Sequence, residues 1–407
     1  MLPLLLSLLV GSINAIVPSA TDPLLLVQVV IRHADRAGMH GYATNISEEV
    51  FFRGNGELSD AGIDNAYLQG LDYRKRYVES GFLDDRMLTN QIAIRSSAVP
   101  RVLMSAGSFT SALFSKTAGG RSKVAPIFTK DKEQDPLLVP PLGCLDGWDD
   151  VVEKYNLTSP KDAQKAKKKG GSSLGATRKH AQALIAILKK EMPEECMVVP
   201  PELMETIVAE HANPLITLPQ EWVPCAENGA KRLMFKYMEL LSGSGDDYNL
   251  QRLQRTAGLL TATLLDNMEN ILNSSSTDTA HPKFRVYYTH DINVLGLSYI
   301  FDSLYLFKDK TPAFSSSIVF ELRNGTTGPY VNILLKNGQA GKFEESDRCQ
   351  KDCTLDGLIE LTKQFAIREP AKCVMSEDEV EPTTKSSMIG QSLLVLLITS
   401  LLSSLHL

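Results

Sequence analysis

Three short apolar runs in this chain stop abruptly at charged or imidazole side chains, and that arrangement constrains the fold more than any other feature. Residues 24–31 read LLLVQVVI, broken only by Gln28, and end in Arg32, His33, Ala34, Asp35 and Arg36. Residues 92–94 end at Arg95 and Ser96, and residues 286–288 end at Thr289, His290 and Asp291. A continuous apolar run of this length suits a strand buried on both faces, which belongs to a parallel sheet covered by helices.

The segments between the runs agree. Residues 59–77 predict a helix with Ser59 as N-cap and Ile63, Ala66, Tyr67, Gly70 and Leu71 on one face. Pro100 suits the first turn of a second helix running through Leu103, Ala106, Thr110 and Leu113. Strand, helix, strand, helix implies right-handed crossovers and an α/β fold with a mostly parallel central sheet flanked by helices. From about residue 131 to 250 the texture changes to proline clusters, a Lys-rich Gly/Ser stretch and helical segments such as 179–190, which predicts an inserted, smaller helical subdomain. The α/β domain is then discontinuous, over 16–130 and 251–375. Leu253, Ala257, Leu260, Leu264, Met268 and Ile271 give a periodic helix leading back to the third run. Residues 318–322 and 330–335 flank Asn324 and Gly325, an antiparallel hairpin expected at the sheet edge.

In open parallel sheets ligands sit in the crevice beyond the carboxyl ends of the strands. Adjacent strands would bring Arg32, His33, Arg36, Arg95, His290 and Asp291 around one crevice. Arginine does not shed its proton, so three of them together need an anionic guest, and a phosphate monoester accepts their bidentate bonds. His33, kept neutral by the surrounding cations, is the expected nucleophile on phosphorus, and Asp291 the donor of a proton to the leaving alkoxide. Each motif alone is weak; three charged strand ends in one parallel sheet are harder to explain as capping. His40, His180, His211 and His281 lack such a context, as do Trp148, Trp222 and the lysine run 165–169.

Lys and Arg total 42 against 48 Asp and Glu, a net charge of −6, so nothing overall favours a nucleic-acid partner. All of these charges lie between Asp22 and Lys385. The apolar start, with small residues Gly11, Ser12 and Ala15, predicts a signal peptide over 1–15. At the far end a linker, 376–387, precedes an apolar tail, 388–407, which suits either a removed lipid-anchor signal attached at Ser386 or Ser387, or a simple hydrophobic tail. Six cysteines, Cys144, Cys196, Cys225, Cys349, Cys353 and Cys373, imply disulfides in a secretory-pathway protein that is extracellular, cell-surface or lysosomal. Sequons at Asn45, Asn156, Asn273 and Asn324 fit the same compartment.

These residues together resemble the histidine acid phosphatases, the second branch of the histidine phosphatase superfamily, which carry an RHGxRxP motif near the N-terminus and an HD motif near the C-terminus. Arg32, His33 and Arg36 match the first, His290 and Asp291 the second, and IRSSAVPRVLMSA from Ile94 to Ala106 is similar to the family's arginine-serine segment. The resemblance implies a phosphohistidine at His33, phosphate binding by Arg32, Arg36, Arg95 and His290, proton donation by Asp291, and no metal or other cofactor. It implies disulfides Cys144–Cys373 and Cys349–Cys353, leaving Cys196–Cys225, and it leaves a homodimer and membrane attachment through the tail open. Ala34 stands where the motif has glycine and Gly38 where it has proline, adding a Cβ beside the phosphate loop and loosening the turn after it. Those departures keep a second reading in play, a catalytically weak surface glycoprotein that retains the fold. A metal-dependent phosphohydrolase with His33 as a ligand is disfavoured, because the flanking arginines would repel a cation.

Overall fold

The computed structural model describes residues 22–115, 123–142, 149–154, 190–274, 281–308, 310–347 and 353–371. The leader, the linker, the apolar tail, the lysine run, most of 179–190, Asn156, Cys144, Cys349 and Cys373 lie outside them. Seven strands form one sheet: β1 (Leu24–Arg32), β2 (Ile92–Ser96), β3 (Ile127–Phe128), β4 (Phe284–Thr289), β5 (Ser317–Gly325), β6 (Gly328–Lys336) and β7 (Phe343–Glu345). Their order is β3-β2-β4-β1-β5-β6-β7. The three runs singled out by sequence are therefore neighbours, and they are parallel, with Arg32 opposite Thr289 and Ser96 opposite Tyr288.

The sheet is parallel on one side only. Strands β5, β6 and β7 are antiparallel, so the expectation of a mostly parallel sheet holds for the β3-β2-β4-β1 half. The hairpin at β5 and β6 is present, but it lies inside the sheet: β5 pairs with β1, and β7 continues beyond β6.

Strand β1 shows why the run folds as it does. Val27, Val29 and Ile31 join the core on one face, with Tyr73 and Phe109, while Leu26 and Val30 join the opposite core, with Leu260, Leu264 and Val294. Gln28, the one polar residue in the run, donates to the Leu264 carbonyl at 2.7 Å and accepts from the Asn267 amide at 2.8 Å. An unsatisfied amide there would cost roughly 1–3 kcal/mol.

The first helix spans Asp60–Tyr73, capped by Ser59, whose hydroxyl accepts the Gly62 N–H. Its buried face is Gly62, Ala66, Gln69, Gly70 and Tyr73, whereas Tyr67 points outward. The difference from the expected face comes from close packing: a Cβ on Gly62 would sit 2.1 Å from the Asp35 carbonyl oxygen, and one on Gly70 2.3 Å from that of Phe109. Small residues, not bulky ones, mark the contact with the Pro100–Leu113 helix. Cys196, Ile207, Cys225, Ala230 and Leu240 pack into a further core together with Ile292. Cys196 is disulfide-bonded to Cys225.

Candidate active site

The ends of β1 and β4 carry most of the site. The His33 N–H donates to the Thr289 carbonyl at 3.0 Å, tying the two strand ends together. His290 follows directly as the N-cap of the Asp291–Ile300 helix. Arg32 is buried, with one Nη in an ion pair with Asp291 Oδ2 at 2.8 Å and the other donating to the Pro312 carbonyl. Arg36 lies against Leu58 in an isolated bridge, and its Nη1 donates to Glu205 Oε1 at 2.7 Å and to the Ala37 carbonyl at 2.8 Å. The Phe314 ring sits 4.3 Å from the Arg32 guanidinium and 5.7 Å from that of Arg36. His33 and His290 meet edge to face with centroids 5.8 Å apart.

The geometry decides the tautomer of His33. Its Nδ1 lies 2.9 Å from the Ala34 carbonyl oxygen, which can only accept, so Nδ1 carries the hydrogen and Nε2 keeps its lone pair. Burial, reinforced by Arg101, Arg32, Arg36 and His290, holds the His33 imidazole far below the ordinary histidine range. Burial and Arg101 likewise bring His290 down to about 4, against the opposing pull of Asp291. Burial pushes Asp291 upward, yet Arg32, Arg36 and His290 outweigh it and hold the carboxyl below its ordinary value. At neutral pH the two imidazoles are thus neutral beside an ionised aspartate.

The structure corrects one expectation. Arg95 does not reach the crevice: its Nη2 pairs with Asp135 at 2.7 Å and its Nη1 donates to the Ser96 carbonyl, because alternation along β2 turns it away. Arg101, six residues later, takes the place. It lies in the first turn of the Pro100–Leu113 helix, beside His290 and Asp291 on the wall of one cavity of about 870 Å³. Burial and the nearby Arg36 bring its pKa down to about 10, which leaves it charged. A cation at a helix N-terminus opposes the helix dipole, and that placement was the available signal. Arg101→Ala is expected to weaken aryl phosphate and orthophosphate binding about a hundredfold, the loss of two charge-assisted hydrogen bonds. Arg95→Ala is expected to leave KM within about twofold while lowering the denaturation midpoint, since it strands a buried Asp135 carboxylate. Equal effects of the two on KM would reverse the assignment.

Ala34 and Gly38 prove benign in the backbone. Neither has positive φ. The Ala34 methyl packs with Leu58 and Ala66, and its N–H donates to Ser105 Oγ at 3.0 Å. Opposite the charged wall, the cavity is lined by Val139, Leu142, Met238 and Leu241. Glu205 and Phe314 touch the arginines directly, and neither stood out in the sequence.

Comparison with known proteins agrees with this geometry. Residues 24–141 match the histidine phosphatase superfamily (branch 2). The chain is 26% identical over 347 residues to the lysosomal acid phosphatase of Xenopus laevis, covering 83% of this chain and 75% of that one. It is 27% identical over 359 residues to the prostatic acid phosphatase of Mus musculus, covering 84% and 87%. The apo form of Hafnia alvei phytase shares the fold, with a TM-score of 0.56 and 16% identity, covering 88% of this chain and 100% of that one. These matches support the histidine acid phosphatase family, within the second branch of the histidine phosphatase superfamily.

Proposed function

We propose that this protein is an acid phosphatase that hydrolyses phosphate monoesters through a phosphohistidine at His33. The observation that carries the reading is the Nδ1–H bond of His33 to the Ala34 carbonyl, which aims an unprotonated Nε2 into a pocket of three arginines. Nε2 attacks phosphorus as the bond to the leaving oxygen breaks, and Arg32, Arg36, Arg101 and His290 hold the non-bridging oxygens. Asp291 supplies the proton to the departing alkoxide. Its carboxyl is held below the ordinary value by Arg32, which pairs with it; a bound phosphate shares that guanidinium, relaxes the hold on Asp291 and favours the acid form. Asp291, once deprotonated, takes a proton from the water that cleaves the P–N bond, which returns His33 and releases phosphate. Ala34 supports the enzymatic reading over an inactive glycoprotein, since its methyl sits in negative φ away from the ring nitrogens.

The lysosomal and prostatic relatives point to the secretory pathway or the lysosome. The signal peptide over 1–15, glycans on Asn45, Asn273 and Asn324, whose side chains are exposed, and on Asn156, and attachment through the tail complete the same proposal. So do the two-part α/β domain with its helical insertion, the disulfides Cys144–Cys373 and Cys349–Cys353, and a homodimer.

The test is hydrolysis of an aryl phosphate at about pH 5, with a chelator present, by the form lacking residues 1–15 and those beyond Lys385. Turnover on the order of 1–1000 per second, unaffected by the chelator, is expected. Folded protein without turnover between about pH 4 and pH 8 would overturn the reading.

A further inference from the structure

Glu205 lies in the inserted segment, on the Met204–His211 helix, 169 residues along the chain from Arg36. Its two oxygens nonetheless close on the motif: Oε1 accepts from Arg36 Nη1 at 2.7 Å, and Oε2 accepts the Met39 N–H at 2.7 Å. Gly38 makes the approach possible. A Cβ there would meet Thr206 Oγ1 at 2.8 Å and Thr206 Cα at 3.0 Å, so any other residue would push this helix away from Arg36. Thr206 also donates to the His40 carbonyl at 3.2 Å, and Glu210 accepts the Ala43 N–H at 2.6 Å. The helix is therefore held against residues 36–43 at four points, and one of them is a salt bridge to a phosphate-binding arginine.

The pairing changes the charge of the pocket. Arg32 is matched by Asp291 and Arg36 by Glu205, whereas Arg101 donates to the Gly56 carbonyl, at 3.3 Å. Among the described residues, that guanidinium charge has no carboxylate in salt-bridge contact. A phosphate monoester carries one negative charge below its second pKa of about 6 and two above it. We propose that Glu205 sets the ionic form of the ester this site accepts, neutralising Arg36 so that the pocket matches the monoanion and disfavours the dianion. The proposal rests on the phosphatase reading for its substrate and concerns which protonation state is taken. In the complex the proton of the monoanion passes to Asp291, and from there to the leaving oxygen, so the net charge of the match is unchanged.

The groups facing Glu205 are Arg36, His40 and, further off, Arg32. Guanidinium groups keep their proton across the useful range. Burial and Arg36 lower His40 against the pull of Glu205, burial holds His33 well below the ordinary histidine range, and His290 lies at about 4. A phosphate ligand takes up its second charge between about pH 5 and pH 8, which makes the idea measurable.

The experiment is calorimetric titration of the purified protein with orthophosphate at about pH 5 and about pH 8, for wild type, Glu205→Gln and Glu205→Ala. Glutamine keeps an acceptor for the Met39 N–H and removes only the charge. Repulsion from Glu205 scales with ligand charge, so Glu205→Gln is expected to bind about threefold tighter at pH 5 and about tenfold tighter at pH 8. The alkaline limb of kcat/KM for an aryl phosphate should move up by about one pH unit. Equal gains at both pH values, or no gain, would overturn the proposal. It is equally overturned if Glu205→Ala alters affinity while Glu205→Gln does not, because Glu205 would then only brace the loop. A wild type that binds orthophosphate in this pattern but turns over no ester would refute the phosphatase reading and leave the charge match standing.

Discussion

His33→Ala is expected to remove turnover of every phosphomonoester, lowering kcat by at least about ten-thousandfold while the protein folds and still binds orthophosphate. The side chain is buried, and its one hydrogen bond runs to the carbonyl of the next residue, so truncation removes little from the surrounding structure. The three guanidinium groups and His290 remain to bind the anion. Alkaline quench of wild type during turnover with labelled substrate should trap acid-labile, base-stable phosphate on His33. A variant that kept more than about one hundredth of wild-type activity would require a nucleophile other than His33, and the whole assignment would fall.

Asp291→Asn should divide substrates by the acidity of their alcohols. Alkyl phosphates expel a strongly basic alkoxide and depend on the proton, so kcat is expected to fall by roughly 100- to 10,000-fold. A nitrophenolate leaves without protonation, and for that ester the loss in the first step should be small. The variant also loses the ion pair with Arg32 at 2.8 Å, while its amide oxygen still accepts the Ile292 N–H, so melting must be checked alongside. A uniform loss across leaving groups would assign Asp291 to binding or to water activation alone.

Much of the site was legible because a parallel sheet makes strand ends converge. Arg32, His33, Arg36, His290 and Asp291 follow apolar runs that could hardly be anything but buried neighbouring strands, and β1 and β4 pair in the register that joins them. Arg95 also ends such a run, but position along a strand does not say which way a side chain faces at its last residues. Arg101 was missed because it belongs to a helix, where an arginine after proline looks like an ordinary surface residue. Glu205 lies in another segment, and Phe314 in the loop before β5; only tertiary packing brings either to the arginines. The antiparallel half of the sheet escaped for a related reason: alternation reports burial, and strand direction is set by connections that a single sequence does not display.

The carbonyl of Ala34 has one more consequence. Many catalytic imidazoles are oriented by a carboxylate, which stabilises the charged ring and strengthens it as a base. Here a neutral peptide oxygen does the orienting, and burial beside three guanidinium groups depresses basicity further. A weakly basic nitrogen is an easily expelled one. In the proposed mechanism the phosphorylated ring would therefore be a reactive phosphoryl donor: the features that keep His33 unprotonated before attack would also weaken its grip on the phosphoryl group afterwards, and the covalent enzyme would be short-lived.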